Sequence, residues 1–150
     1  MGQPQCLSVP GQFERLVQIA EFVTQAAREA GLTDDDAFHV EMAVDEACSN
    51  IIEHAYADHP GDIDLTCTSS APGALEISIH DSGRSFNPDG VAAPPLSIPA
   101  DVDDLSEGGF GLYFMRKLMD EVRFEMVAGH GNTLTMTKRS KQLAAKFERA

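Results

Sequence analysis

Basic side chains are scarce through most of this sequence. Residues 1–137 carry 23 acidic and six basic groups, a balance of −17, whereas residues 138–150 carry five basic and one acidic, or +4. Binding along a nucleic acid needs clustered Lys and Arg to neutralise phosphates, so an acidic body argues against nucleic acid as a general ligand. It fits a partner with a basic surface, and it also serves solubility. Long apolar runs are missing as well. No stretch of 18 apolar residues occurs, which predicts no membrane span. No charged region followed by an apolar run opens the chain, which predicts no signal peptide. No CxxC pair exists; the three cysteines are Cys6, Cys48 and Cys67. The last two fall in regular segments and read as small core residues, which suits a reduced, cytoplasmic compartment. There is no internal repeat, and 150 residues with 43% hydrophobic and 23% charged content suit one domain, residues 1–150.

What is present is organised around Asp45-Glu46-Ala47-Cys48-Ser49-Asn50-Ile51-Ile52-Glu53-His54-Ala55-Tyr56. Val40, Val44, Ala47, Ile51 and Ala55 recur at spacings of three and four and make one helical apolar stripe. Glu46 and Asn50 stand one turn apart beside that stripe. Their oxygens suit a hard cation such as Mg²⁺, and a carboxylate can also take a proton. Two solvated polar residues on an amphipathic helix would look the same. His54, near the edge of the stripe, reads as a packing residue.

Residues 4–9 alternate as a short edge strand, broken by Pro10-Gly11. A first helix is predicted from about Gln12 to Ala30, with Phe13, Leu16, Val17, Ala20, Val23 and Ala27 inward and Gly31 ending it. Thr33 and Asp34 to Asp36 cap the second helix, and His59-Pro60-Gly61 closes the linker after it. Ile63, Leu65 and Cys67, then Leu75, Ile77 and Ile79, alternate with polar residues as two strands of a hairpin turning at Ser70 to Gly73. The sheet is therefore at least partly antiparallel. The second strand ends at Asp81-Ser82-Gly83. Residues 84–108 form a long segment with four prolines, the length of a lid or binding loop. Gly108-Gly109-Phe110-Gly111 then opens a third helix, and Val122, Phe124 and Met126 pair with Leu134 and Met136 across a turn at Gly129 to Asn132. The last dozen residues read as a loose helix or a tail.

Each glycine group alone says little. Asp-Ser-Gly is commonly a turn. Gly108 to Gly111 lacks the GK[ST] ending of a P-loop and the preceding strand of a dinucleotide fingerprint. Glycines at a helix start do expose backbone N–H groups to phosphate. In order, Glu46-x-x-x-Asn50 on a helix, Asp81-x-Gly83 after a strand, a long loop and Gly109-x-Gly111 at a helix start resemble the Bergerat-fold or GHKL ATPases, the group of gyrase B, MutL and the histidine kinases. The chain is most similar to small bacterial anti-sigma factor kinases of the RsbW/SpoIIAB type, through Val44 to Tyr56 and through Gly108-Gly109-Phe110-Gly111-Leu112-Tyr113-Phe114-Met115-Arg116-Lys117-Leu118-Met119-Asp120. The resemblance covers nearly the whole chain.

That resemblance implies an α+β two-layer sandwich: a mostly antiparallel mixed β-sheet with three helices on one face. Asn50 would hold Mg²⁺ on the phosphates of ATP, and Glu46 would be the general base for a serine hydroxyl. Asp81 would bind the adenine amino group, with Gly83 beneath the ring and Thr133 supporting Asp81 or a water near it. Gly109, Gly111 and Leu112 would offer N–H groups to the phosphates, under a lid at about 84–108. Ser85, after Arg84, stands where the superfamily often has a second glycine. No lysine lies in the phosphate loop, which leaves transition-state charge to Mg²⁺, backbone N–H groups and Arg84 or Arg116. The implied activity is phosphorylation of an anti-anti-sigma (STAS) partner together with sequestration of a sigma factor. A homodimer and a sigma-contacting surface near Arg15 are further implications. Two other readings are an ATP-binding partner switch that transfers nothing, and the ATP-binding half of a histidine kinase. The second would need a helical hairpin with a phosphoacceptor histidine, which this sequence does not show.

Overall fold

In the computed structural model, residues 3–56, 60–83, 110–127 and 130–140 are described. Alternation of apolar and polar residues produces five strands: β1 (Gln5–Pro10), β2 (Asp62–Ala71), β3 (Ala74–Asp81), β4 (Glu121–Val127) and β5 (Gly131–Arg139). They form one sheet in the order β1-β2-β3-β5-β4. Every pairing between them is antiparallel. The fold class is the one expected, a two-layer sandwich with a mostly antiparallel sheet, and among the described residues that sheet is antiparallel throughout rather than mixed. β3 and β4 run the same way, but β5 lies between them, so they form no parallel pair. β1 is an edge strand, where Pro10 costs no ladder bond.

Three helices, α1 (Leu16–Glu29), α2 (Asp34–Asn50) and α3 (Phe110–Leu118), cover one face of the sheet. Side chains alternate across a strand, so Ile63, Leu65 and Cys67 of β2, Ile77 and Ile79 of β3, and Leu134 and Met136 of β5 share the helix-facing side. They pack with Ile19 and Val23 of α1, Val40, Val44 and Cys48 of α2, and Met115 of α3 in one core. Cys48 and Cys67 are buried and unpaired, as expected of core thiols. Among the described residues no helix is long and apolar enough to cross a membrane.

α1 buries Val23 and Ala27 as predicted, but its inward face is rotated toward Ile19 and Ala26 and away from Phe13 and Val17. Phe13 lies in a short 3₁₀ turn, Phe13–Arg15, and is 50% exposed, while Val17 is 68% exposed. The buried row is Ile19, Val23, Ala26 and Ala27, a 3.6-residue stripe that joins the common core. α2 begins as expected, with Thr33 Oγ1 accepting a hydrogen bond from Asp36 N at 3.1 Å and three aspartates in its first turn.

The end of α2 also departs from expectation. Residues Ile51–Ala55 form a π-helical turn, closed by Tyr56 N donating to Ile51 O at 2.9 Å. A π turn inserts one residue and rotates the chain beyond it, and such turns concentrate at functional sites. Its consequence here is that the side chain of His54 is 56% exposed beside Glu53, so His54 does not pack inward as its place near the stripe suggests.

Candidate functional site

Asp81 is the last residue of β3 and lies on the helix-facing side, in line with Ile77 and Ile79. It is only 4% exposed. A carboxylate there must be hydrogen-bonded or neutralised. Its Oδ1 accepts from Gly83 N at 3.0 Å and from Asn132 Nδ2 at 2.9 Å. The first bond folds Asp81-Ser82-Gly83 into a tight turn. The second reaches across from β5, where Asn132 stands opposite Asp81 in the ladder.

Thr133 is not the side chain that supports Asp81. It pairs with His80, one register position along, and its Oγ1 lies 2.9 Å from His80 Nδ1. Both side chains belong to the face of the sheet away from the helices. Strand parity held the signal: Leu134 and Met136 point to the core, so Asn132 does as well and Thr133 does not.

Two glycines allow the turn to close. A Cβ on Gly83 would stand 2.5 Å from Ala55 O, in the last residue of the π turn. Gly131 adopts φ +84, a conformation that side chains other than glycine's rarely take, and a Cβ there would collide with the carbonyl of Asp81. The Asp81 turn is thus pressed between the end of α2 and the start of β5.

Glu46 and Asn50 lie on α2 four residues apart, both half-buried. Burial pushes the Glu46 carboxyl above the ordinary carboxylate range, and the negative charges of Asp45 and Glu53 push it the same way. A carboxyl poised higher is a better proton acceptor once ionised. Asn50 is the last α-helical residue before the π turn, so the turn sets where its amide stands relative to Asp81 and Gly83.

α3 opens at Phe110. The first backbone N–H groups of a helix have no intrahelical partner and attract anions, and Gly111 and Leu112 lie in that first turn. Buried Met115 and Met119 anchor α3 in the core, and Lys138 Nζ donates to Leu118 O at 2.6 Å at its far end. Arg116 is exposed. Gly109, Arg84, Ser85 and the segment 84–108 lie outside the described residues.

The donor set fits a magnesium-bound adenine nucleotide. A buried carboxylate with one oxygen already doubly bonded has its other oxygen to offer an exocyclic amine. The Gly83 turn leaves no side chain where a Cβ would meet Ala55. The oxygens of Glu46 and Asn50 are hard donors of the kind Mg²⁺ takes.

Residues 9–138 match the family described as the histidine kinase-like ATPase domain. The serine-protein kinase RsbW of Bacillus subtilis is 38% identical over 136 residues, covering 88% of this chain and 82% of that protein. The serine-protein kinase RsbW of Halalkalibacterium halodurans is 35% identical over 134 residues, covering 88% and 80%. Among solved structures, the RsbU and RsbW domains of a Mycobacterium tuberculosis protein superpose with a TM-score of 0.65 at 21% identity, covering 92% of this chain and 32% of that longer one. A blue-light activated histidine kinase of Erythrobacter litoralis superposes at 0.56 with 20% identity, covering 88% and 42%. These two likenesses speak for the fold.

Proposed function

Because this chain belongs to the family of histidine kinase-like ATPase domains, we propose that it is an ATP-dependent serine/threonine protein kinase and anti-sigma factor. Its substrate is an anti-anti-sigma (STAS) protein, and its second partner is a sigma factor that it holds inactive. The observation that carries the reading is the pair on α2: a half-buried carboxylate with a raised pKa, Glu46, one turn from an amide, Asn50.

Asp81 Oδ2 accepts the adenine amino group while Oδ1 stays tied to Gly83 and Asn132. Gly83 lies beneath the ring. Gly111 and Leu112 in the first turn of α3, with Gly109 before it, would offer backbone N–H groups to the phosphates, and Asn50 would hold Mg²⁺. When bound, Mg²⁺ supplies charge neutralisation on the transferring phosphoryl group. Glu46 takes the proton of the attacking serine hydroxyl as the serine oxygen bonds to the γ-phosphorus and the β–γ bridging oxygen leaves with ADP. Arg15, exposed at the end of the 3₁₀ turn, lies close in sequence to exposed Phe13 and Val17. Together they offer a basic and apolar surface suited to the sigma factor. The working unit is a homodimer.

The test is mass spectrometry of the cognate STAS protein after incubation with this protein and Mg-ATP. One added phosphate with wild type, and none with Glu46→Gln, is the expected result. ATP binding with no transfer to the partner would reduce the protein to a nucleotide-gated partner switch and overturn the kinase reading.

A further inference from the structure

Tyr56 occupies an unusual place. In the register of β2 with β3, Ile63 faces Asp81, so Asp62 would next face Ser82. The Tyr56 hydroxyl stands there instead. It donates to the backbone carbonyl of Asp62 and accepts from the backbone N–H of Ser82 at 2.9 Å. A side chain from the helical layer is thus inserted in the last rung of the ladder. It holds the end of β3 off β2 just where Asp81-Ser82-Gly83 leaves the sheet.

The inserted ring is tightly housed. A Cβ on Gly11 would come 2.6 Å from the ring, and one on Gly61 would collide with it outright. Two glycines, from the end of β1 and the approach to β2, therefore make the slot. Gly11 N also donates to Gly61 O at 2.8 Å, which closes the slot. Tyr56 itself terminates the π turn that begins immediately after Asn50. Its placement is fixed at both ends, by the helix that carries Glu46 and Asn50 and by the turn that carries Asp81.

We propose that Tyr56 is a positioning residue for adenine recognition: its hydroxyl spaces the strand end so that the Asp81 carboxylate meets the exocyclic amine while Asn50 meets the phosphates. This inference rests on the nucleotide site described above. With the hydroxyl removed, Asp62 and Ser82 can approach and bond directly, and the Asp81 turn moves with Ser82. The ring remains to fill its slot, so the fold survives the change.

The experiment compares calorimetric affinities of wild type and Tyr56→Phe for Mg-ATP and for the magnesium complex of purine riboside triphosphate, which lacks the exocyclic amine. Tyr56→Phe is expected to weaken ATP about tenfold and to leave the amine-free analogue within about twofold of wild type, with the unfolding temperature little changed. Equal losses for both nucleotides would make Tyr56 a purely structural residue and overturn the proposal, as would no loss for either. Failure of wild type to bind ATP at millimolar concentration is a separate result, and it removes the nucleotide site itself.

Discussion

Asp81 and Asn132 face each other across β3 and β5, with Asn132 Nδ2 2.9 Å from Asp81 Oδ1. The amide and the Gly83 N–H together commit one carboxylate oxygen and leave the other for a ligand. Removing the amide frees a buried carboxylate to rotate. Asn132→Ala should cost about 1.5–3 kcal/mol in stability, the range for a hydrogen bond to a charged group. It should also weaken ATP, whereas Thr133→Ala should do neither. Thermal unfolding and ATP titration of the two variants check this, and equal behaviour would contradict it.

Glu46 sets activity against stability. Its folded pKa lies above the ordinary value, so folding favours the protonated form. The stability that reflects this is full below the unfolded pKa and is lost as pH rises through the folded one. Glu46→Gln, uncharged throughout, should unfold at a higher temperature than wild type at pH 7 and lose that advantage near pH 4. Phosphoryl transfer should fall by roughly 10²–10⁴-fold, the usual contribution of a general base. In wild type the transfer rate should climb as pH rises through the raised Glu46 value. A variant no more stable than wild type at pH 7 would contradict the burial argument.

Gly83 is confined by backbone. A methyl group there meets Ala55 O, and neither chain segment can yield cheaply. Gly83→Ala should cost about 1–3 kcal/mol, as overpacking does, and should abolish measurable ATP binding. Denaturant unfolding gives the first quantity and titration the second. Wild-type affinity in this variant would mean that the turn is not part of the site.

The thiols should separate cleanly. Burial holds Cys48 and Cys67 with pKa values pushed up to about 12, while Cys6 is exposed on the edge strand. A thiolate-specific reagent at pH 8 should modify Cys6 alone in the folded protein and all three cysteines after unfolding. Rapid labelling of Cys48 in the native state would place it outside the core.

Much of this arrangement is legible in the sequence because period and parity are local. The Thr33 cap and the alternation of Ile63-Leu65-Cys67 and Leu75-Ile77-Ile79 form as read, and the edge strand forms with Pro10 as its last paired residue rather than its breaker. The differences lie where packing chooses between near-equal local options. Val23 and Ala27 turn inward as read, but Ile19 and Ala26 take the inward places given to Phe13 and Val17, a rotation of the stripe that the 3.6-residue period alone does not fix. Family resemblance points to Thr133 as the support of Asp81, although the parity of Leu134 and Met136 points to Asn132. The π turn at Ile51–Ala55 has no sequence signature, and it exposes His54 and delivers Tyr56 to the β2–β3 rung.

The central claim is that Asp81, α2 and the start of α3 converge on one adenine nucleotide. Isothermal titration of Mg-ATP into wild type and Asp81→Ala tests it most directly. The account predicts saturable 1:1 binding by wild type and loss of at least a hundredfold in affinity in the variant, with both proteins folded by circular dichroism. Equal affinity in the two, or no binding by wild type at millimolar ATP, would contradict it.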